Sequence, residues 1–205
     1  MAARVISGKA KGRRLKLVPG DTTRPIMDRV KESLFNILGD VEGTRWIDLF
    51  AGTGQVGIEA LSRGAAAVIF VDKAKAAIVT VHDNLTHTRL ENGARVIKMD
   101  ALGYLRQMEG EPVDIIYIAP PQYLEMWIAA LMQIDAEATR YLAEDGMAIV
   151  QIDPREFKEL NTRNLTLFDK RRYGNTLLCF YRISSDGDEG DEESVIQGDA
   201  NDALP

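Results

Sequence analysis

After Gly43 the sequence alternates between short apolar runs and segments of helical periodicity, and this alternation is what most limits the possible folds. Strands that alternate with helices of this length favour a mostly parallel sheet covered on both faces, so we predict an α/β fold. The predicted strands are Arg45–Leu49, Ala67–Val71, Arg95–Met99, Val113–Ile118, Met147–Ile152, Leu165–Arg171 and Leu177–Arg182. The predicted helices are Gln55–Ser62, Ala74–Leu90, Ala101–Gln107, Leu124–Met132 and Ala136–Leu142.

The end of the chain is expected to differ from this pattern. Only Tyr173-Gly174-Asn175 separates the last two predicted strands, which is too short for a crossover helix, so they should pair as an antiparallel hairpin. Residues 43–183 contain the whole alternation and form the predicted main domain. Residues 184–205 carry eight acidic side chains and no Lys or Arg, and we expect a disordered acidic tail.

Residues 1–42 form a basic extension before the alternating region. Short β-prone runs at Arg4–Gly8 and Arg13–Val18 predict a small β-hairpin. Apolar residues then recur at helical spacing from Met27 to Leu38, which predicts an amphipathic helix.

The charge of the chain is unevenly distributed. The net charge is −6, yet residues 1–31 contain nine Lys or Arg against two acids. A basic arm on a balanced body is typical of proteins that bind polyanions, although a solvated run of charges has the same composition. The candidate phosphate-contacting residues are Arg4, Lys9, Lys11, Arg13, Arg14, Arg24, Arg29 and Lys31.

A glycine-rich loop follows the first predicted strand, in the segment Asp48-Leu49-Phe50-Ala51-Gly52-Thr53-Gly54-Gln55-Val56-Gly57. Glycines let backbone N–H groups and a helix N-terminus approach a ligand, so the loop predicts a nucleotide-type cofactor site. The spacing of Gly52, Gly54 and Gly57 also fits a nicotinamide dinucleotide, and a purely structural turn uses the same residue types. The carboxylate of Asp48 favours S-adenosylmethionine, which carries both a cation and an amine.

Acidic residues also follow the second and third predicted strands. Ligands of open α/β sheets bind at the carboxyl ends of the strands, where Asp72 and Asp100 would lie near the glycine loop. We expect Asp72 to accept hydrogen bonds from ribose hydroxyls, and Asp100, followed by Ala101, to accept one from an adenine amino group. Each acid has a plain alternative as the N-cap of the next helix.

The fourth predicted strand runs into Ala119-Pro120-Pro121-Gln122-Tyr123. Paired prolines stiffen the backbone and remove two donors, so carbonyl oxygens are expected to face the ligand crevice. These acceptors suit the exocyclic amino group of a substrate, and Tyr123 offers a ring on which a base can stack. A rigid turn without a function would contain the same pair of prolines.

Several other classes of protein are excluded by composition. The chain has no apolar run of about 20 residues and no apolar N-terminal region, so we expect neither a membrane span nor a signal peptide. The single cysteine, Cys179, excludes an internal disulfide and a cysteine zinc cluster. His82 and His87 are out of register for a shared helical metal site. We expect a cytoplasmic monomer without a metal.

Two sequence blocks resemble a known enzyme family. Residues 24–36, with Arg24-Pro25 and Asp28-Arg29-Val30-Lys31-Glu32, and the glycine loop with its continuation to Ala65 are similar to the bacterial 16S ribosomal RNA guanine-N2-methyltransferases. The resemblance covers about residues 4–182. It implies a Rossmann-like class I methyltransferase fold and S-adenosylmethionine as the methyl donor. It also implies one guanine of 16S rRNA, within a small-subunit assembly particle, as the substrate.

The fourth strand end departs from the pattern of related amino-methyltransferases, which carry Asp or Asn, two prolines, then Tyr or Phe. This chain has Ala119 at the acidic position and Gln122 before Tyr123. We hypothesise that the carbonyls of Ala119 and Pro120 keep part of the acceptor role and that the Gln122 carboxamide supplies the rest. Three alternatives stay open: an RNA-binding protein that has lost catalysis, a methyltransferase of a protein or small amine, and a nicotinamide enzyme.

Overall fold

The computed structural model describes residues 3–20 and 26–185, so Arg24 and nearly all of the expected acidic tail lie outside the described residues. The strands are β1 (Arg45–Asp48), β2 (Ala67–Asp72), β3 (Ala94–Lys98), β4 (Val113–Ile118), β5 (Leu142–Ile152), β6 (Leu165–Tyr173) and β7 (Thr176–Ile183). The helices are α1 (Asp28–Leu38), α2 (Gln55–Ser62), α3 (Lys75–Thr88), α4 (Ala101–Gln107), α5 (Met126–Ala136) and α6 (Ala138–Tyr141).

Within the described chain, seven strands form one sheet in the order β3-β2-β1-β4-β5-β7-β6. Strands β1 to β5 are parallel to one another, whereas β7 lies between β5 and β6 and is antiparallel to both. Tyr173 and Thr176 close the hairpin of the last two strands. The predicted mostly parallel sheet with a C-terminal antiparallel hairpin is therefore confirmed.

Helices cover both faces of the sheet because its central strands are apolar on both sides. On β1, Trp46 joins the hydrophobic cluster formed with α1, α2 and α3, whereas the next residue, Ile47, joins the cluster formed with α4, α5 and α6. Tyr117 and Ile118 of β4 divide between the two clusters in the same way. Side chains of successive strand residues point to opposite faces, so one continuous apolar run fills two cores.

The N-terminal segment pairs antiparallel, but over a shorter stretch than the predicted hairpin. Arg4 and Arg14 form an isolated bridge, and a short 3-10 turn spans Gly8–Ala10. Val5 donates to the carbonyl of Arg13 at 2.9 Å. The hairpin prediction is correct in outline and wrong in extent.

Side chains of the main domain explain the missing strand pairing. The backbone N–H groups of Ile6 and Ser7 donate to the Glu59 carboxylate at 2.7 and 2.9 Å. The N–H of Lys16 donates to the Asn84 side chain at 2.7 Å. Since these donors are already used, no longer ladder forms, and the segment instead docks on α2 and α3.

One predicted boundary is wrong by several residues. We expected a helix to Leu142 and a strand from Met147, but α6 ends at Tyr141 and β5 begins at Leu142. Leu142 pairs with Val113 of β4, which requires an extended backbone there. Among the described residues, no helix has the length and apolar composition that crossing a bilayer requires.

Candidate active site

The glycine loop lies at the carboxyl edge of the sheet between β1 and α2. Gly52 and Gly54 have φ values of +52° and +74°, in the left-handed region that favours glycine. A Cβ atom added at Gly52 would meet nothing within 4 Å. The backbone of the loop therefore borders open space that a ligand can enter.

Gly57 has a different structural role from Gly52 and Gly54. A Cβ atom there would lie 2.4 Å from the ring of Phe70 on β2. This glycine lets α2 pack closely on the sheet, so only part of the glycine pattern faces the crevice.

Asp48 ends β1 as a buried carboxylate, 2% exposed. Its Oδ2 accepts a hydrogen bond from Gly57 N at 3.3 Å. Burial raises the pKa of Asp48 to about 7, the Gly57 N–H opposes this shift, and the charge of Asp72 adds to it. A buried acid with a raised pKa gains from a nearby cation, which would stabilise its charged form.

Asp72 at the end of β2 ties the glycine loop to the next helix. Its two carboxylate oxygens accept hydrogen bonds from Gly52 N at 2.9 Å and from Ala74 N at 2.8 Å. The carboxylate thus orients the loop and the residue that precedes α3. Its expected contact with ribose hydroxyls stays a prediction.

Asp100 is the N-cap of α4 and accepts a hydrogen bond from Gly103 N at 2.9 Å. This confirms the plain alternative for Asp100, whose adenine contact stays a prediction. Ala101 behind it is buried. The N–H of Met99 donates to the carbonyl of Asp72 at 3.1 Å, which brings the second and third strand ends together.

The other members of the predicted cofactor loop are less accessible. Ala51 is buried, and Phe50 and Thr53 are half-buried. The carbonyl of Thr53 accepts a hydrogen bond from the Asn84 side chain at 2.9 Å, so Asn84 joins this loop to the N-terminal segment.

Gln55 is a residue of the glycine segment that the sequence reasoning passed over. It begins α2, is 6% exposed, and its Oε1 has no hydrogen-bond partner among the described residues. A buried, unpaired oxygen beside a ligand crevice is a candidate acceptor. The position of Gln55 directly after Gly54 could have identified it as a residue of the ligand site.

The fourth strand end is exposed, in contrast with the first, where Asp48 is buried. Ala119 and Pro120 are half-buried, whereas Pro121 and Gln122 are exposed. Tyr123 keeps 56% of its surface exposed and adopts a left-handed φ of +62°, which is uncommon for a residue with a Cβ.

Tyr123 is held by a segment that follows β5, which the sequence reasoning missed. Its N–H donates to Glu156 Oε2 at 2.7 Å, and its hydroxyl donates to Asp153 Oδ2 at 3.1 Å. Arg155 donates to the Tyr123 hydroxyl and to Asp153. The available signal was Asp153-Pro154-Arg155-Glu156, a helix-capping pattern directly after a strand.

The electrostatics of this cluster follow from the same contacts. The hydrogen bonds from Arg155 hold the pKa of Asp153 well below its usual range. Loss of solvent around the Tyr123 hydroxyl, together with its hydrogen bond to Asp153, raises the pKa of Tyr123. At neutral pH the cluster therefore contains a charged acid, a charged guanidinium and a neutral phenol.

One candidate phosphate contact is wrong. Lys31 is fully buried, and its Nζ lies 3.2 Å from the Glu59 carboxylate. Burial lowers the pKa of Lys31, partly offset by Glu59. Because this side chain points into the core of the protein, it links α1 to α2 and cannot reach RNA.

The other described basic candidates divide into residues that are open to a ligand and residues that already have a partner in the chain. Four are exposed, and no contact within the described residues prevents them from binding a ligand: Lys9, Lys11, Arg14 and Arg29. Arg4 pairs with Asp28 at 2.7 Å, and Arg13 donates to the carbonyl of His87 at 2.7 Å. Within residues 3–20 and 26–185, no group of three or more His, Cys, Asp or Glu side chains is placed to hold a metal ion.

Comparisons with known proteins agree with this geometry. A family model described as Conserved hypothetical protein 95 matches residues 3–182. A Bacillus subtilis protein named "Putative rRNA methyltransferase YlbH" is 41% identical, with 87% of this chain and 98% of that protein covered. The Escherichia coli protein named Ribosomal RNA small subunit methyltransferase D is 31% identical, with 90% and 92% covered.

Solved structures show the same fold. One described as "Putative methyltransferase yhhF from Escherichia coli" superimposes with a TM-score of 0.76 at 29% identity and covers 90% of this chain and 99% of that chain. A more distant structure, SMU.776 described as complexed with SAH, has a TM-score of 0.62 at 18% identity. It covers 76% of this chain and 48% of that chain, and shows a shared fold alone.

Proposed function

The chain belongs to the family described as Conserved hypothetical protein 95, and we propose that it transfers a methyl group to the exocyclic N2 of a guanine in 16S ribosomal RNA. In coarser terms it is an S-adenosylmethionine-dependent rRNA methyltransferase, like the relatives that cover nearly its whole length. We further propose that the acceptor is a guanine of the small-subunit RNA and that the methyl group goes to its N2 atom.

The observation that supports the proposal is the meeting of two loops at neighbouring strand ends. β1 and β4 are adjacent, with Asp48 opposite Tyr117, so the glycine loop after β1 and the Ala119–Tyr123 segment after β4 share one edge of the sheet. Ligands of open α/β sheets bind at this edge. One crevice can therefore hold a cofactor on one side and a target base on the other.

The residues present fit S-adenosylmethionine. The open space at Gly52, the unpaired Oε1 of Gln55 and the buried acid Asp48 offer room, an acceptor and a counter-charge. Asp72 and Asp100 would face the ribose and the adenine. When bound, this cofactor supplies a methyl group on a positively charged sulfur atom, which is activated for direct transfer.

The residues after β4 would hold the target base. The Ala119 and Pro120 carbonyls and the Gln122 carboxamide would accept hydrogen bonds from the guanine N2 amino group and direct its lone pair into the crevice. The Tyr123 ring would stack on the flipped base. Pro121 stiffens the turn between them. Positioning of this kind accounts for most of the rate when the transferred group is already activated.

The exposed basic residues of the N-terminal segment would bind RNA phosphates. Lys9, Lys11, Arg14 and Arg29 are accessible, and Arg4, Arg13 and Arg24 belong to the same candidate set. Such contacts fix the register of the RNA, and the affinity they provide falls as the salt concentration rises. We propose that a monomer acts in the cytoplasm on a small-subunit assembly particle.

Methyl transfer from isotopically labelled S-adenosylmethionine tests the proposed function. The acceptors are unmodified 16S RNA and small-subunit particles from cells that lack this gene, and mass mapping of the RNA locates the label. We expect one N2-methylguanine, formed more efficiently on the particles than on the free 16S RNA. RNA binding without transfer would instead support a protein that has lost catalysis, and transfer only to a protein or a small amine would contradict the proposal.

A further inference from the structure

We propose that Asp153, Arg155 and Glu156 are positioning residues that fix the Tyr123 ring as a platform for the target base. This inference rests on the proposed function, because it assigns a task to the segment after β5 in binding the substrate. The three residues contact Tyr123 at its backbone, at its hydroxyl and beside its ring.

Glu156 sets the backbone of the platform. Tyr123 has a φ of +62°, a conformation that a residue with a Cβ rarely adopts unless its surroundings impose it. The Glu156 carboxylate accepts the N–H of Tyr123 at 2.7 Å and also the N–H of Asp153 at 3.4 Å. One carboxylate thus ties the loop after β4 to the segment after β5.

Asp153 and Arg155 fix the outer end of the ring. Asp153 is only 4% exposed, and its carboxylate receives Arg155 Nε at 3.0 Å and Nη2 at 2.9 Å. The Tyr123 hydroxyl donates to the same carboxylate and accepts from Arg155. Because the hydroxyl has a fixed donor and a fixed acceptor, the ring cannot rotate away without breaking both hydrogen bonds.

Arg155 leaves the ring accessible to a base. Its guanidinium carbon lies 5.6 Å from the ring centroid, at the hydroxyl end, and Tyr123 keeps 56% of its surface exposed. A base would therefore stack on the exposed part of the ring.

A purely structural role would have a different signature. The Arg155 side chain is 74% exposed, and exposed ion pairs contribute little to stability. Loss of its contacts should therefore leave the protein folded, and should affect the rate of methyl transfer more than the thermal midpoint. A nearby cation, Lys158, pairs with Glu125 at the surface, whereas the cation beside the Tyr123 ring is Arg155. It provides a matched control for the removal of positive charge.

The test compares Tyr123→Phe, Arg155→Ala, Asp153→Asn and Lys158→Ala in the methyl-transfer assay, with kcat, KM for RNA and the affinity for S-adenosylmethionine measured separately. We expect kcat to fall roughly 10- to 100-fold in the first three variants, as for other misplaced reacting groups. We expect Lys158→Ala to match the wild type and cofactor affinity to stay unchanged in all four. The double variant Tyr123→Phe with Arg155→Ala should lose no more than the worse single variant, since both remove one interaction.

Each other outcome overturns the inference. Wild-type kcat in Asp153→Asn and Arg155→Ala would show that these residues do not position the ring. Losses that multiply in the double variant would show that Arg155 acts independently of Tyr123. If the wild-type protein itself transfers no methyl group, the proposed function fails, and ultraviolet titration of the phenol then tests the positioning contacts alone. The ionisation step of Tyr123 is identified as the one that disappears in Tyr123→Phe. In Asp153→Asn this step should move to lower pH, and an unchanged step would contradict the contact between Tyr123 and Asp153.

Discussion

The two halves of the candidate active site are built in opposite ways. The cofactor half, which we define as the glycine loop, the ends of β1 to β3 and helix α2, rests on buried groups such as Asp48 and Glu59. The target half, which consists of residues 119–125 and 153–156, lies at the surface with Gln122 and Tyr123 exposed. The first is stabilised by core packing, and the second by a few polar contacts between two loops.

This difference indicates how each half should respond to substitution. Changes in the cofactor half alter packing or buried charge, so they should change stability, in either direction, along with cofactor binding. Changes in the target half should lower turnover in a protein that stays folded. Four substitutions test this contrast, and they follow in order of their expected effect on the free energy of unfolding.

Glu59→Gln should have the largest effect. It leaves the buried Lys31 without a counter-ion, and removal of one partner from a buried ion pair typically costs about 3–5 kcal/mol of stability. Because burial already lowers the pKa of Lys31, the loss should shrink as the pH rises and the amine becomes neutral. Urea unfolding at several pH values measures this, with the exposed Glu32→Gln as control. A loss equal to that of the control would show that the cofactor half is not anchored by buried charge.

Gly57→Ala should have the next largest effect. The new methyl group would lie 2.4 Å from the Phe70 ring, and overpacking of this kind destabilises a protein by about 1–3 kcal/mol. The matched control is Gly103→Ala in α4, where the nearest atom outside its own helix backbone is 3.7 Å away. That control should gain roughly 0.5–1 kcal/mol from helix propensity. Equal thermal midpoints for the two variants would contradict close packing of α2 on the sheet.

Asp48→Asn should have an intermediate effect on stability, and this effect should depend on pH. The pKa of Asp48 is raised to about 7, so the folded state holds a proton that the unfolded state loses near the ordinary pKa of 3.8. The contribution of Asp48 to stability therefore falls as the pH rises from about 4 through 7, and Asp48→Asn should gain roughly 1–3 kcal/mol relative to the wild type between pH 5 and 8.

Cofactor binding should show the opposite trend. Since the cationic cofactor favours ionised Asp48, affinity in the wild type should rise with pH up to about 7 and then level off. Calorimetric titration with S-adenosylmethionine checks this. A flat affinity profile in the wild type would remove Asp48 from the cofactor site.

Gln122→Ala should have the smallest effect on stability and a large one on activity. Gln122 is exposed, and surface substitutions usually change stability by no more than about 0.5 kcal/mol. If its carboxamide supplies the acceptor that Ala119 lacks, methyl transfer should be abolished while cofactor binding survives. Turnover at the wild-type rate would refute that role and leave the backbone carbonyls as the only acceptors.

Sequence patterns predicted the parts of this protein that depend on local periodicity. The β1 strand, the helix after the glycine loop and the acids at three strand ends all lie within short segments whose spacing carries the information. The helix Gln55–Ser62 and the strand Val113–Ile118 have the predicted bounds. The start of β5 was predicted at Met147 but lies at Leu142, because pairing between Leu142 and Val113 requires an extended backbone there.

The sequence by itself determined the fold class, the glycine loop and the family, because each is written in contiguous residues. Only the tertiary structure decided that Lys31 lies in the core and that Tyr123 is held from the segment after β5. The contacts of Tyr123 with Asp153 and Glu156 join residues 30 and 33 positions apart. Neither periodicity nor charge reports such contacts, since they arise when the sheet brings the ends of β4 and β5 side by side.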